Sequence, residues 1–257
     1  MLLAIDCGNS NTVFAVYNSK EQVGRWSLST DPNRTADEYA VWLTQLLYLK
    51  SLSVDNITEA IITTVVPGTR RNLSTLVQHH FSVEPLVVRD KNVDLGIRIK
   101  VDRPEQVGAD RLVTAVGAHL IYPEDLIVID FGTGTTFDVI DSEGDWCGGI
   151  IAPGVNLSVE ALTMAGALLP RVNVEKPDSI IGGNTVSAMQ SGIFWGYVSM
   201  IEGMVPRIIK EYGSNMSVIA TGGLAPLFVN ETDLIKAVEP DLTLIGLVEI
   251  NRRNRSK

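Results

Sequence analysis

Cysteine is nearly missing from this chain: there are two in 257 residues, Cys7 and Cys147, far apart and without CxxC spacing. That excludes a disulfide scaffold and a structural zinc site, and makes a reduced, cytoplasmic setting the expectation. Positive charge is also scarce. Asp and Glu outnumber Lys and Arg 30 to 21, for a net charge of −9, whereas a general nucleic-acid binder grips phosphate backbones with lysine and arginine. No nucleic-acid partner is expected, and the basic tail of Arg252, Arg253, Arg255 and Lys257 reads as a solvated end. No membrane partner is expected either. The longest uncharged stretch, Ser179 to Ile201, has spanning length, but its Asn184, Thr185, Ser187, Gln190, Ser191, Ser199 and four glycines are costly in lipid and reasonable in a buried helix. The opening MLLAIDCGNS has no basic n-region and no small-residue cleavage site, so no signal peptide is expected in it. The P-loop pattern GxxxxGK[ST], a helix-opening GxGxxG, a Ser-His-Asp order and a Cys-His pair are all missing. His79 and His80 lack carboxylates at ligand spacing and read as structural.

What is present begins with ordinary globular composition, 45% hydrophobic and 20% charged. The length allows one large domain or two small ones. An internal repeat favours two. LLAIDCGNSNTVFAVYNS at Leu2 to Ser19 and LIVIDFGTGTTFDVIDSE at Leu126 to Glu143 match at an offset of 124 residues, pairing Ile5 with Ile129, Asp6 with Asp130, Gly8 with Gly132, Thr12 with Thr136 and Val16 with Ile140. Each copy reads as an apolar strand ending in Asp, a turn of Gly, Asn, Ser and Thr, and a second strand. Thr35-Ala36-Asp37-Glu38 is a capping box that starts a helix to about Lys50, with Tyr39, Leu43, Leu46 and Leu47 on its apolar face. Glu59 to Val66 reads as a buried strand, Pro67-Gly68 as a break, the row Leu73, Leu76, Val77 and His80 as a helix, and Pro85 to Val88 as a short strand. The second half repeats the plan, with strands through Cys147 to Ala152, a helix over Val155 to Leu168, a long or broken helix over Asn184 to Tyr212, a strand at Ser217 to Ala220 and a final helix after Pro240-Asp241. The expectation is therefore an α/β fold of two halves, residues 1–121 and 122–257, with mixed sheets flanked by helices.

The two hairpin turns are the strongest candidates for chemistry. In Asp6-Cys7-Gly8-Asn9-Ser10-Asn11-Thr12 and Asp130-Phe131-Gly132-Thr133-Gly134-Thr135-Thr136, glycine lets backbone N–H groups approach a phosphate, Asn and Thr add neutral donors, and the strand-end carboxylate can hold a metal ion. Two such turns facing each other would clamp a nucleotide's phosphate tail. One turn alone is equally well an ordinary hairpin. Ala220-Thr221-Gly222-Gly223-Leu224 follows a strand, where glycines let backbone lie flat against a planar ligand such as adenine or simply make a strand-to-helix turn. In Gly108-Ala109-Asp110-Arg111 the Asp is either a helix cap or, with its neighbouring Arg, the base and anion grip of a kinase. Trp42, Trp146 and Trp195 read as core or interface residues.

Taken together, IDCGNSNTVFAVY, EQVGADRLVTAVGAH, VIDFGTGTTFDVID, GGIIAPG, NTVSAMQSGIFWGY and ATGGLA, in this order over nearly the whole chain, resemble the type III pantothenate kinases. These belong to the superfamily of acetate and sugar kinases, actin and heat-shock chaperones. The resemblance implies two related ribonuclease H-like, actin-like ATPase halves. It also implies ATP-dependent phosphorylation of pantothenate on its primary hydroxyl, the first step towards coenzyme A. Carried over, Asp6, Cys7, Gly8, Asn9, Ser10, Asn11, Thr12 and Val13 would form the first ATP turn, with Asp6 helping to hold magnesium. Asp110 would be the general base; Gly108, Ala109 and Arg111 would line the pantothenate pocket, Arg111 answering its carboxylate; and Thr185 would touch pantothenate. Thr133 would contact ATP, and Asp130 would bind a monovalent cation, potassium or ammonium. A homodimer packed through the long helices is implied as well.

There are departures from the family pattern. Val101 stands where many relatives have a tyrosine that stacks on substrate, Gly134 where alanine is common, and Ser10 where threonine is common. The rival readings are another small-molecule kinase of the same superfamily, or a non-enzymatic transcription accessory factor.

Overall fold

The structure, a computed structural model, describes residues 1–166 and 169–255. In chain order the strands and helices are β1 Leu2–Cys7, β2 Asn11–Asn18, β3 Glu21–Ser29, α1 Ala36–Leu49, β4 Glu59–Thr64, α2 Pro67–Thr75, β5 Leu86–Val87 and α3 Ala109–Ile121. There follow β6 Leu126–Phe131, β7 Gly134–Ile140, β8 Trp146–Pro153, α4 Val155–Ala165, α5 Thr185–Tyr212, β9 Ser217–Thr221, α6 Ala225–Phe228, β10 Ala237–Val238 and α7 Leu242–Arg255. The expected helix from Val155 thus ends at Ala165 with Gly166 as its C-cap, and its last two expected positions, 167 and 168, lie outside the described residues.

Two compact units result. One holds Met1–Arg98, Asp102–Ile121 and the chain from Leu242 onward; the other holds Ile99–Val101 and Tyr122–Asp241. The first has the sheet order β3-β2-β1-β4-β5 and the second β8-β7-β6-β9-β10, the same plan twice. In each, the strand that carries the Asp, β1 or β6, is antiparallel to its hairpin partner and parallel to its other neighbour. Strand β1 shows why its sequence is almost continuously apolar: Leu3, Ile5 and Cys7 join a core with Tyr39, Leu43, Leu47 and Leu73, while Leu2 and Ala4 join another with Val113, Val116, Leu247 and Ile250. A central strand covered on both faces has no polar side to alternate with.

Local signals explain the helix starts. The Thr35 hydroxyl accepts the Glu38 N–H at 3.3 Å and the Glu38 carboxylate accepts the Thr35 N–H at 2.8 Å, the reciprocal box read from sequence. Pro67, expected to break the chain, occupies the first turn of α2 instead, where its missing N–H has no partner to lose. Asn184 caps α5 by accepting the Ser187 N–H at 3.0 Å.

Two expectations need correction. The repeat is one residue out of step past the turn. Asp6 lies opposite Val13 but Asp130 opposite Thr136, because the first turn has four residues, Gly8 to Asn11, and the second three, Gly132 to Gly134. The counterpart of Thr12 is therefore Thr135, not Thr136, and that of Phe14 is Phe137. A one-residue slip exchanges the faces of a strand, and burial agrees: Thr12, Thr135, Phe14 and Phe137 are all fully buried. The second correction concerns α7, assigned by chain position to the second half. It packs on α3 in the first unit. A Cβ on Gly117 would lie 2.0 Å from the Leu242 carbonyl, and one on Gly246 1.9 Å from the Val113 carbonyl, so the two backbones touch through reciprocal glycines. The Thr114 and Thr243 hydroxyls join across this seam at 2.8 Å.

Candidate active site

In the first unit, Asp6 ends the β1 row that begins Leu2, Ala4 and therefore lies on the face that α3 and α7 cover. Its parallel neighbour on β4 is Thr63, fully buried, with a hydroxyl that has no hydrogen-bond partner among the described residues. The turn beyond Asp6 is closed by the Gly8 N–H to the Asn11 carbonyl at 3.0 Å. Asn9, Ser10 and Asn11 are exposed at its tip. Cys7 and Thr12 point the other way. Cys7 is 1% exposed and Thr12 0%, with the Thr12 hydroxyl donating to the Cys7 sulfur at 3.3 Å and meeting the Thr30 hydroxyl at 2.8 Å. From Cys7 the chain of contacts continues to the Thr69 hydroxyl at 3.3 Å and from Thr69 to Thr64 at 2.9 Å. Of the eight positions from Asp6 to Val13, Cys7 and Thr12 thus spend their side chains on holding the turn; their backbone is what remains for a ligand.

Asp110 and Arg111 sit in the first turn of α3, both partly exposed. An Asp Oδ1 accepts the Arg111 N–H at 2.8 Å. A Cβ on Gly108 would fall 2.5 Å from that oxygen, so glycine at 108 is what leaves the carboxylate its position. The seam of glycines between α3 and α7 fixes this helix at its far end. A carboxylate and a guanidinium on adjacent residues at a helix start can accept a proton and hold an anion together.

In the second unit, Asp130 sits among glycines. Gly222, at φ +89°, is in the left-handed region, and a Cβ there would lie 2.6 Å from both the Asp130 carboxylate and the Phe131 carbonyl. The Asp130 carboxylate and the Phe131 carbonyl thus both crowd the Gly222 Cα, an approach that only glycine permits. The turn residue Thr133 is exposed, and its carbonyl lies where a Cβ on Gly154 would be, 2.0 Å away. Gly154 is the N-cap of α4, so the second turn rests directly on a helix N-terminus. Thr185 is exposed in the first turn of α5. Val101 lies against Gly148, whose added Cβ would be 3.9 Å away. Among the described residues no three His, Cys, Asp or Glu side chains gather as a metal site.

Other charged groups are structural. Lys100 bridges Asp141 at 2.5 Å and Asp145 at 3.0 Å. Burial alone would raise the Asp141 carboxyl, but the ammonium and the backbone N–H of Asp145 hold it below its usual range. Burial, with Asp141 beside it, pushes the Cys147 thiol up to about 11, which keeps it protonated and unreactive. His80 does have a carboxylate partner, Asp37 at 2.9 Å, but one 43 residues away that spacing could not reveal. Sequence reasoning also passed over Thr30, Thr63 and the Gly117–Gly246 contact, because each matters only through a partner brought in by the fold.

Comparison with known proteins adds an independent line. A family model described as type III pantothenate kinase matches residues 2–207. The chain is 61% identical over 254 residues to a protein of that name from Paramagnetospirillum magneticum, covering 99% of this chain and 98% of the relative, and 58% identical over 255 residues to another from Rhodospirillum rubrum, covering 99% of each. Among solved structures, one described as a Baf family transcriptional activator from Campylobacter jejuni matches with a TM-score of 0.64 at 18% identity, covering 99% of this chain and 100% of that one. The activator of 2-hydroxyisocaproyl-CoA dehydratase from Clostridium difficile, solved with bound ADPNP, matches with a TM-score of 0.57 at 14% identity over 99% and 96%. At such identities these two speak for the fold alone, two mixed sheets flanked by helices. With the family model spanning most of its length and close relatives spanning nearly all of it, the chain belongs to the type III pantothenate kinase family.

Proposed function

We propose that this protein transfers the γ-phosphoryl group of ATP to the primary hydroxyl of pantothenate, giving 4′-phosphopantothenate and ADP on the way to coenzyme A. The observation that carries the reading is the first unit's own equipment: a strand-end carboxylate and exposed hairpin tip at Asp6 to Asn11, with Asp110 and Arg111 on the helix that covers the Asp6 face. The Asp110 carboxylate accepts the hydroxyl proton as the alkoxide oxygen attacks the γ-phosphorus, and the bond to the ADP oxygen breaks. Such a base mainly orients its nucleophile. Arg111 holds the pantothenate carboxylate, Gly108 and Ala109 line the pocket, and Thr185 touches the substrate. Asn9, Ser10, Asn11 and the turn backbone take the ATP phosphates, and Thr133 contacts ATP. Magnesium accompanying ATP, held through Asp6, supplies neutralisation of phosphate charge.

A monovalent cation, potassium or ammonium, held at the Asp130 carboxylate as an activator, is part of this reading. A homodimer belongs to the same reading. It is supported by exposed Ile151, Leu157, Met164, Ile180 and Ile181 in the second unit, and by Gly192 and Gly196 on the exposed side of α5, where an added Cβ meets nothing. Two thiols without a disulfide support a cytoplasmic location.

The test is coupled ADP release with and without pantothenate, in potassium and in sodium buffer. Release that needs pantothenate and is faster in potassium is the expected result. Equal release with and without pantothenate would overturn the substrate, and equal rates in the two salts would overturn the cation.

A further inference from the structure

Thr30 lies just beyond β3, far from the turn motif in sequence, yet it touches the first turn twice. Its hydroxyl donates to the Gly8 carbonyl at 2.7 Å and its backbone N–H donates to the Ser10 carbonyl at 2.9 Å. The consequence follows from peptide geometry. A trans peptide is planar, with its N–H directed opposite its C=O. Fixing the Gly8 carbonyl therefore fixes the direction of the Asn9 N–H, and fixing the Ser10 carbonyl fixes that of the Asn11 N–H. Both carbonyls are drawn toward Thr30, so both N–H groups are turned away from it. Two N–H groups of one tight turn set this way offer donors to anionic oxygens on the side away from Thr30.

The second turn shows that the repeat does not demand this device. Asn11 pairs with Ser29 as Gly134 pairs with Pro153, which makes Gly154 the counterpart of Thr30. Glycine has no hydroxyl to give, and Gly154 instead packs flush against the Thr133 carbonyl.

We infer that Thr30 is a positioning residue for the nucleotide: by clamping the Gly8 and Ser10 carbonyls it aims the N–H groups of the first turn at the ATP phosphates. This rests on the reading that the turn takes ATP. Thr30→Val keeps the branched shape and removes the donor; Thr30→Ser keeps the donor. In steady-state kinetics the valine variant is expected to raise the KM for ATP about tenfold, with kcat and the KM for pantothenate within about twofold, and the serine variant to stay near wild type. An unchanged KM for ATP in Thr30→Val, or a loss seen only in kcat, overturns the inference. So does a tenfold rise in Thr30→Ser, whether or not the valine variant folds. The same ratios are read from the Kd of a non-hydrolysable ATP analogue, which does not depend on the acceptor. A wild type that binds the analogue but leaves pantothenate untouched would overturn the substrate reading alone, with the clamp judged on its own ratio. A wild type that binds no analogue would overturn both.

Discussion

The two hairpin turns have the same plan and are held in opposite ways. Around the first, hydroxyls and a thiol form a chain of contacts from Gly8 through Thr30, Thr12 and Cys7 to Thr69. Around the second, glycine takes the place of the hydroxyls: Phe131 stands where Cys7 does, Gly154 where Thr30 does, and the Thr135 hydroxyl is buried without a hydrogen-bond partner among the described residues. A polar clamp fixes direction, because hydrogen bonds are directional. A glycine seat fixes distance, because nothing larger fits. The first arrangement suits a turn that must aim N–H groups, and the second suits one whose carboxylate and carbonyl oxygens must pack close against neighbouring backbone.

The largest expected effect tests whether the chemistry lies with the first unit. Asp110→Asn is expected to keep its thermal unfolding curve and lose about 10²- to 10⁴-fold in kcat; wild-type kcat would make Asp110 a helix cap only. Next comes the glycine seat. Gly154→Ala puts a methyl group 2.0 Å from the Thr133 carbonyl and is expected to cost about 3 kcal/mol in urea unfolding. The third prediction uses α7, the helix that the second half contributes in sequence and the first unit receives in space. Glu249 there is nearly buried, and hydrogen bonds from Arg252 bring its carboxyl down from 4.5 to about 2, against the opposing effect of burial and with Arg253 adding to the shift. A carboxyl lowered in the folded state stabilises above its unfolded pKa and stops doing so as pH falls through the folded one. Unfolding free energy is expected to drop between about pH 5 and pH 2. In Glu249→Gln that part of the drop, about 2 kcal/mol after allowing for the exposed Arg252, is expected to vanish. The smallest effect is the sharpest comparison. Thr12→Val removes a bonded hydroxyl and is expected to cost about 1 kcal/mol, whereas Thr135→Val removes an unpartnered one and is expected to be neutral or stabilising. Equal costs in chemical denaturation would mean the two turns are held alike.

Much of this was legible in the residues. The capping box at Thr35, the strand-turn-strand pattern ending in Asp6 and Asp130, and the long helix capped by Asn184 are local signals, and local signals survive without the fold. The one-residue difference between the turns was not legible, since Thr12 and Thr136 match by identity and only strand pairing shows that Thr135 is the counterpart. The place of α7 escaped for another reason. Its glycine at 246 gains meaning only against Gly117, a contact spanning more than half the chain. Nothing in the sequence marks Thr30, because a clamp on another segment's carbonyls leaves no pattern around the clamping residue.

The most direct test of the central claim is to look for the product itself. Wild type incubated with ATP, magnesium, potassium and pantothenate is expected to yield 4′-phosphopantothenate by mass spectrometry, in step with ADP, and Asp110→Asn to yield almost none. ATP consumed with no phosphopantothenate formed, or equal product from the Asp110→Asn variant, would contradict the account.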